Sequence, residues 1–286
     1  MFEKILFPTD FSEFAQRMLG CVTGIPGVKE VILLHIIDAT EYSVHGWTHG
    51  PELENARLLM EEKKKYLEGR GVRAVTYVDA ITSGTMARRI LALAEQEKVS
   101  LIVMGTHQKT TIDTLLHGSV SYDLLHHMNT HVLIMRQNAP ECPDGKTPEE
   151  TCPRIFSKVL VPLDFTENSY EMISFVRGMH DIGELVLQHV VIEGGTREAI
   201  EQSIAHAREE LAKIQTDLEQ AGFRATVRIR AGIPADKVIS LAEEEEVSLI
   251  LMYAHKRNWI GKFLQEATPF SVVKNAKRPV LVLRLG

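Results

Sequence analysis

The chain has 286 residues, near two units on the prior of roughly one domain per 150 residues, and is far too long for a disulfide-stapled mini-fold. At 44% hydrophobic and 24% charged it sits close to the globular average, which excludes intrinsic disorder and collagen-like structure. Its 32 Lys and Arg against 38 Asp and Glu give a net charge of −6 and form no basic stripe, so a nucleic-acid partner lacks electrostatic support.

In chain order, short β-branched runs alternate with longer stretches of helical period. Strands are predicted at Ile5 to Phe7, Val31 to Ile37, Ala74 to Val78, Leu101 to Met104 and Val132 to Met135. Helices are predicted at Glu13 to Thr23, Glu52 to Glu68, Thr85 to Glu97 and Ser119 to His127, with Ser12, Gly69 and Gly71 as start and stop signals. Such short apolar strands are those of a parallel sheet buried under helices on both faces. No apolar run approaches about 18 residues, and the apolar start from Met1 to Pro8 meets Asp10 too early for a signal peptide. No membrane association and a cytoplasmic location are expected. Three cysteines, odd and sparse, point to a reducing compartment and to no disulfide framework.

The pattern then repeats. Residues 4 to 12 read KILFPTDFS and residues 158 to 166 read KVLVPLDFT, an offset of 154. LAEQEKVSLIVM at 93 to 104 returns as LAEEEEVSLILM at 241 to 252, an offset of 148. Order is kept, so the first copy carries about six extra residues in its middle loops, where insertions are tolerated. Domains are expected at 1–136 and 155–286, joined over 137–154 by a linker rich in proline and polar residues. Each is an open, doubly wound parallel sheet of five strands, which binds ligands beyond the carboxyl ends of its strands.

After the first strand comes Pro8-Thr9-Asp10-Phe11-Ser12. A carboxylate at a strand end can accept hydrogen bonds from a ribose hydroxyl or a base amino group. Alternatively, Asp10 or Ser12 caps the first helix. After the fourth strand comes Gly105, and Gly118-Ser119 precedes the next helix, whose start offers unpaired N–H groups to an anion. The alternative there is an ordinary loop and N-cap.

Together, the strand-one segment, the strand-four loop and the repeat resemble the universal stress protein family, over nearly the whole chain. That family carries a G-x2-G-x9-G-[ST] nucleotide loop, and here Gly105, Gln108, Gly118 and Ser119 keep its register with the middle glycine substituted. The resemblance implies a strand order of 3-2-1-4-5 and an adenine nucleotide, AMP or ATP, with Mg accompanying ATP. It assigns Pro8, Thr9 and Asp10 to the adenosine end, Ile36 and Met104 to the base pocket, and Gly105, Gly118, Ser119 and Val120 to ribose and phosphates. Gln108 puts a side chain where the family presents bare backbone, which bears on the outer phosphates.

In the second copy the positions of Gly105, Gln108, Gly118 and Ser119 hold Tyr253, Lys256, Glu266 and Ala267, while Asp164 and Met252 persist. A carboxylate at Glu266 would repel a phosphate. The second copy is therefore expected to keep the fold without the phosphate chemistry. It would stand in for the second subunit of the dimers of this family, with Val132 to Met135 meeting Val280 to Leu283 edge to edge. A homodimer of tandem chains is a further expectation.

Other motifs carry less. Gly145-Lys146-Thr147 lacks both a preceding strand and a glycine at position 140, and no G-x-G-x-x-G follows a strand. His45 and His49 lie in a glycine-flanked loop, and Cys142 and Cys152 are half a zinc set, so no metal site is assigned. His126 and His127 are read as solvated, and His35 and His189 as packed at strand ends. His107 and Lys109 are the sole candidates beside a terminal phosphate, and no catalytic residue is assigned. The function expected is a nucleotide-responsive stress regulator; the alternatives are a slow ATPase and a nucleotide-independent interaction scaffold.

Overall fold

A computed structural model describes residues 1–39, 50–81, 83–106, 120–136, 155–179, 181–192, 196–254 and 268–285. These fall into two compact units, 1–136 and 155–285. The first unit runs β1 (Lys4–Pro8), α1 (Glu13–Val22), β2 (Glu30–Asp38), α2 (Gly50–Glu68), β3 (Arg73–Ile81), α3 (Met86–Gln96), β4 (Leu101–Thr106), α4 (Val120–His127) and β5 (His131–Arg136). The second runs β6 (Lys158–Pro162), α5 (Glu167–Arg177), β7 (Glu184–Val191), α6 (Arg197–Gln220), β8 (Ala225–Ala231), α7 (Pro234–Glu244), β9 (Leu249–Ala254), α8 (Thr268–Asn275) and β10 (Val280–Arg284). Among the described residues no helix is long and apolar enough to cross a membrane.

Strand order in the first unit is β3-β2-β1-β4-β5, and in the second β8-β7-β6-β9-β10, the 3-2-1-4-5 order in both. The pairs are parallel, with Ile5 beside Val31 on one side and Leu101 on the other. Ile5, Leu6, Val31 to Leu34, Leu101 and Ile102 are fully buried, as strands covered on both faces must be. β3 is longer and more polar than the sequence pattern predicts. It is an edge strand, and half-exposed Thr76, Tyr77 and Asp79 keep that edge from pairing further.

One repeated device explains the shared Val-Ser-Leu segment. The Ser100 hydroxyl donates to the Lys4 carbonyl at 2.9 Å and accepts from the Lys4 amide at 3.3 Å, stitching the start of β4 to β1. Ser248 makes the same pair of bonds to Lys158. Beside each serine the lysine reaches a glutamate at 2.8 Å, Glu97 in one unit and Glu245 in the other.

Cys21, near the end of α1, is disulfide-bonded. This corrects the expectation of reduced thiols: spacing along a chain says nothing about whether two Cα atoms come within the roughly 4.4–6.8 Å that a bridge requires. Cys142 and Cys152 lie outside the described residues.

His131 opens β5 and stands edge to face with Phe2, ring centroids 6.0 Å apart. Burial strips water from the imidazole and lowers its pKa from 6.5 to about 4. The unfolded chain takes up this proton at the ordinary value and the folded chain does not. Stability is therefore full above about pH 6.5 and declines as pH falls toward 4. In urea denaturation, His131→Phe should remove about 2 kcal/mol of the stability difference between pH 7 and pH 5. An unchanged difference would discount the burial account.

Candidate functional site

In the first unit the chain leaves β1 through a strained turn. Thr9 N–H still donates to Leu34 O at 2.8 Å, continuing the sheet for one residue. Phe11 then adopts a left-handed conformation, φ +61°, which costs a non-glycine residue roughly 1–3 kcal/mol. The turn is held by short-range bonds: Phe11 N–H to Thr9 Oγ1 at 3.2 Å and Ser12 N–H to Asp10 Oδ1 at 3.0 Å. His35 on β2 completes it. Its ring packs against Phe11 at a 31° tilt with centroids 4.3 Å apart, and its Nδ1–H donates to Thr9 O at 2.8 Å. Ser12 is the N-cap of α1, accepting from Ala15 N–H at 3.1 Å. The cap therefore falls to Ser12, and exposed Asp10 follows the end of β1.

Sheet register gathers the other predicted residues. Pro8 pairs with Leu34, so Ile36 lies two residues further along β2. Leu6 pairs with Ile102, so Met104 comes level with Pro8 on the other side. Met104 is buried, Ile36 and Pro8 are half-buried, and half-buried Val120 opens α4. Pro8, Thr9, Asp10, Ile36, Met104 and Gly105 therefore share the carboxyl edge of β2, β1 and β4. Gln108, Gly118 and Ser119 lie outside the described residues, as do His45, His49, His107, Lys109 and 145–147. Among the described residues no group of three or more His, Cys, Asp or Glu could hold a metal ion.

Gly105 has a structural reason to be glycine. A Cβ there would collide with Met18 Cε and lie 2.6 Å from Phe14 Cε1, both on α1. The space a side chain would need is taken by the first helix.

The second unit repeats the turn and changes its surroundings. Phe165 has φ +61°, stacks on His189 with centroids 4.4 Å apart, and His189 Nδ1–H donates to Leu163 O at 2.7 Å. Here Asp164 is gripped by side chains. Its Oδ1 accepts from Ser169 Oγ at 2.5 Å, Thr166 Oγ1 at 2.7 Å and Thr166 N–H at 3.1 Å. Its Oδ2 accepts from the hydroxyl of buried Tyr253 at 2.6 Å. Desolvation pushes the Asp164 carboxyl upward, but the donors from Ser169, Tyr253 and Thr166 outweigh it and hold the pKa below the ordinary value. Burial, and then the bond to Asp164, raise the Tyr253 phenol to about 12. Because the Thr166 hydroxyl is committed to Asp164, α5 has no side-chain N-cap bond.

Sequence reasoning found both aspartates and Tyr253 but missed the partners. With the copies aligned, Phe14 and Ala15 become Asn168 and Ser169 where Gly105 becomes Tyr253. That correlated change was the available signal.

The family model described as "Universal stress protein family" matches residues 1–136 and again 156–284. A universal stress protein of Methanocaldococcus jannaschii is 35% identical over 159 residues, 48% of this chain and 96% of its own length. One from Synechocystis is 28% identical over 288 residues, covering 98% of this chain and 89% of its own. The crystal structure of a universal stress protein from Archaeoglobus fulgidus superposes with TM-score 0.74 at 23% identity, covering 99% of this chain and 96% of that one.

Because the α1 side chains fill the space over Gly105, Gly105→Ala should destabilise the protein by about 1–3 kcal/mol in chemical denaturation. A variant as stable as the parent would show that Phe14 and Met18 yield without cost.

Proposed function

The chain belongs to the universal stress protein family, and from that premise we propose that its first unit binds an adenine nucleotide, AMP or ATP, as a cytoplasmic stress-response regulatory module. The observation that carries this reading is the placement of Asp10: exposed, at the carboxyl end of the central strand, on a turn rigidified by Phe11 and His35. There its carboxylate accepts a hydrogen bond from a ribose hydroxyl or a base amino group, a charge-assisted contact stronger than a neutral one. Pro8 and Thr9 border the adenosine, and Ile36 and Met104 pack against the purine.

Gly105 presents its backbone to the ribose. Gln108, Gly118 and Ser119 belong to the segment that surrounds the phosphates, and Val120 begins the helix whose N-terminal N–H groups complement their charge. Where the ligand is ATP, Mg accompanies it. Binding, rather than turnover, is the activity proposed.

Calorimetric titration of the full chain with AMP and with ATP tests this. Saturable binding should be seen, weakened at least about tenfold by Asp10→Ala, the equivalent of roughly 1.4 kcal/mol for one lost bond to a charged group. Gly118→Glu should abolish it through charge repulsion. No heat from the parent protein at millimolar nucleotide would overturn the reading in favour of a nucleotide-independent scaffold.

A further inference from the structure

The two units spend the same aromatic volume differently. In the first, α1 supplies Phe14 and Met18 over the end of β4, and position 105 has no side chain. In the second, the equivalents on α5 are Asn168 and Met172, and β9 supplies Tyr253. Packing alone would be met by either arrangement, as volume-conserving exchanges are tolerated in cores. The difference lies in chemistry: a ring carried by the strand brings a hydroxyl, and that hydroxyl ends 2.6 Å from Asp164 Oδ2.

The neighbouring exchanges act in the same sense. Ser169, where the first unit has Ala15, donates to Asp164 Oδ1 at 2.5 Å and accepts from the Asp164 amide at 3.0 Å. Thr166, where the first unit has Ser12, gives its hydroxyl to the same carboxylate and forgoes the helix cap. A lost side-chain cap costs roughly 1 kcal/mol in general, so the cluster is favoured over a competing use of the same atoms. In the first unit Gly105 and Ala15 have no hydroxyl, and Ser12 is engaged with Ala15 N–H.

We infer that Tyr253 closes the second unit from within: its hydroxyl makes to Asp164 the bond that a nucleotide hydroxyl or amino group makes to Asp10. This rests on the nucleotide-binding reading of the first unit. Tyr253 is a specificity-determining residue by this account. The second unit keeps its carboxylate as a structural acceptor instead of a ligand contact. A ligand would have to displace the phenol, so the second unit is shut at its adenosine end.

Two experiments on the full chain test this. Calorimetry with ATP should give one site per chain, and the transplant F14N/G105Y should keep a cooperative melt while weakening ATP binding at least about tenfold. Two sites per chain, or a folded transplant that binds as the parent does, would overturn the inference. Thermal melts of Y253F, D164N and the double variant judge the closure without any nucleotide. Y253F should lower the melting temperature more in the parent background than in D164N, where the charged acceptor is gone and the hydroxyl keeps its 3.0 Å contact with Thr166 Oγ1. Additive shifts would overturn the inference even if the transplant fails to fold. If the parent binds no nucleotide while the shifts are non-additive, the nucleotide reading falls and the internal lock on Asp164 stands.

Discussion

Both units depend on one strained position. Immediately after the strand-end aspartate, a phenylalanine is held at φ +61°, where a side chain clashes with its own backbone. The strain persists because a histidine on the neighbouring strand packs against the ring and donates to the carbonyl two residues earlier in the chain. Local turn chemistry and a contact 26 residues away thus over-determine the same few atoms. The aspartate inherits that rigidity. A carboxylate on a fixed backbone loses little freedom when it accepts a hydrogen bond, from a ligand or from a tyrosine.

Duplication has preserved what the sheet needs and released what the edge does. The serine stitches at Ser100 and Ser248 and the lysine–glutamate pairs beside them recur nearly atom for atom, at the amino ends of the strands. Divergence is concentrated at the carboxyl ends, where Gly105 and Tyr253 differ. This follows from the architecture of open parallel sheets: the amino edge only joins strands, while the carboxyl edge receives the loops that face a ligand.

Much of this was legible in one dimension. The repeat, the alternation of short apolar strands with helical periods, the boundaries of most elements and the two aspartates at strand ends all follow from local pattern. The polar edge strand β3 was less legible, because alternation weakens where one side of a strand meets water. Gly105 is instructive. The sequence suggests a glycine kept for close approach of a phosphate, whereas the packing shows Phe14 and Met18 already using the room. The packing alone accounts for the missing Cβ.

The sequence by itself determined the family, the two copies, the parallel sheets and the loss of the glycine loop from the second copy, since periodicity and self-comparison need no third dimension. Tertiary structure alone decided that Tyr253 reaches Asp164 across 89 residues, that His35 buttresses the first turn, and that Cys21 is bonded rather than reduced. Those are matters of distance between strands and helices that become neighbours only when the sheet assembles. A residue's type announces what it can bond, and only the fold determines what lies within about 3 Å of it.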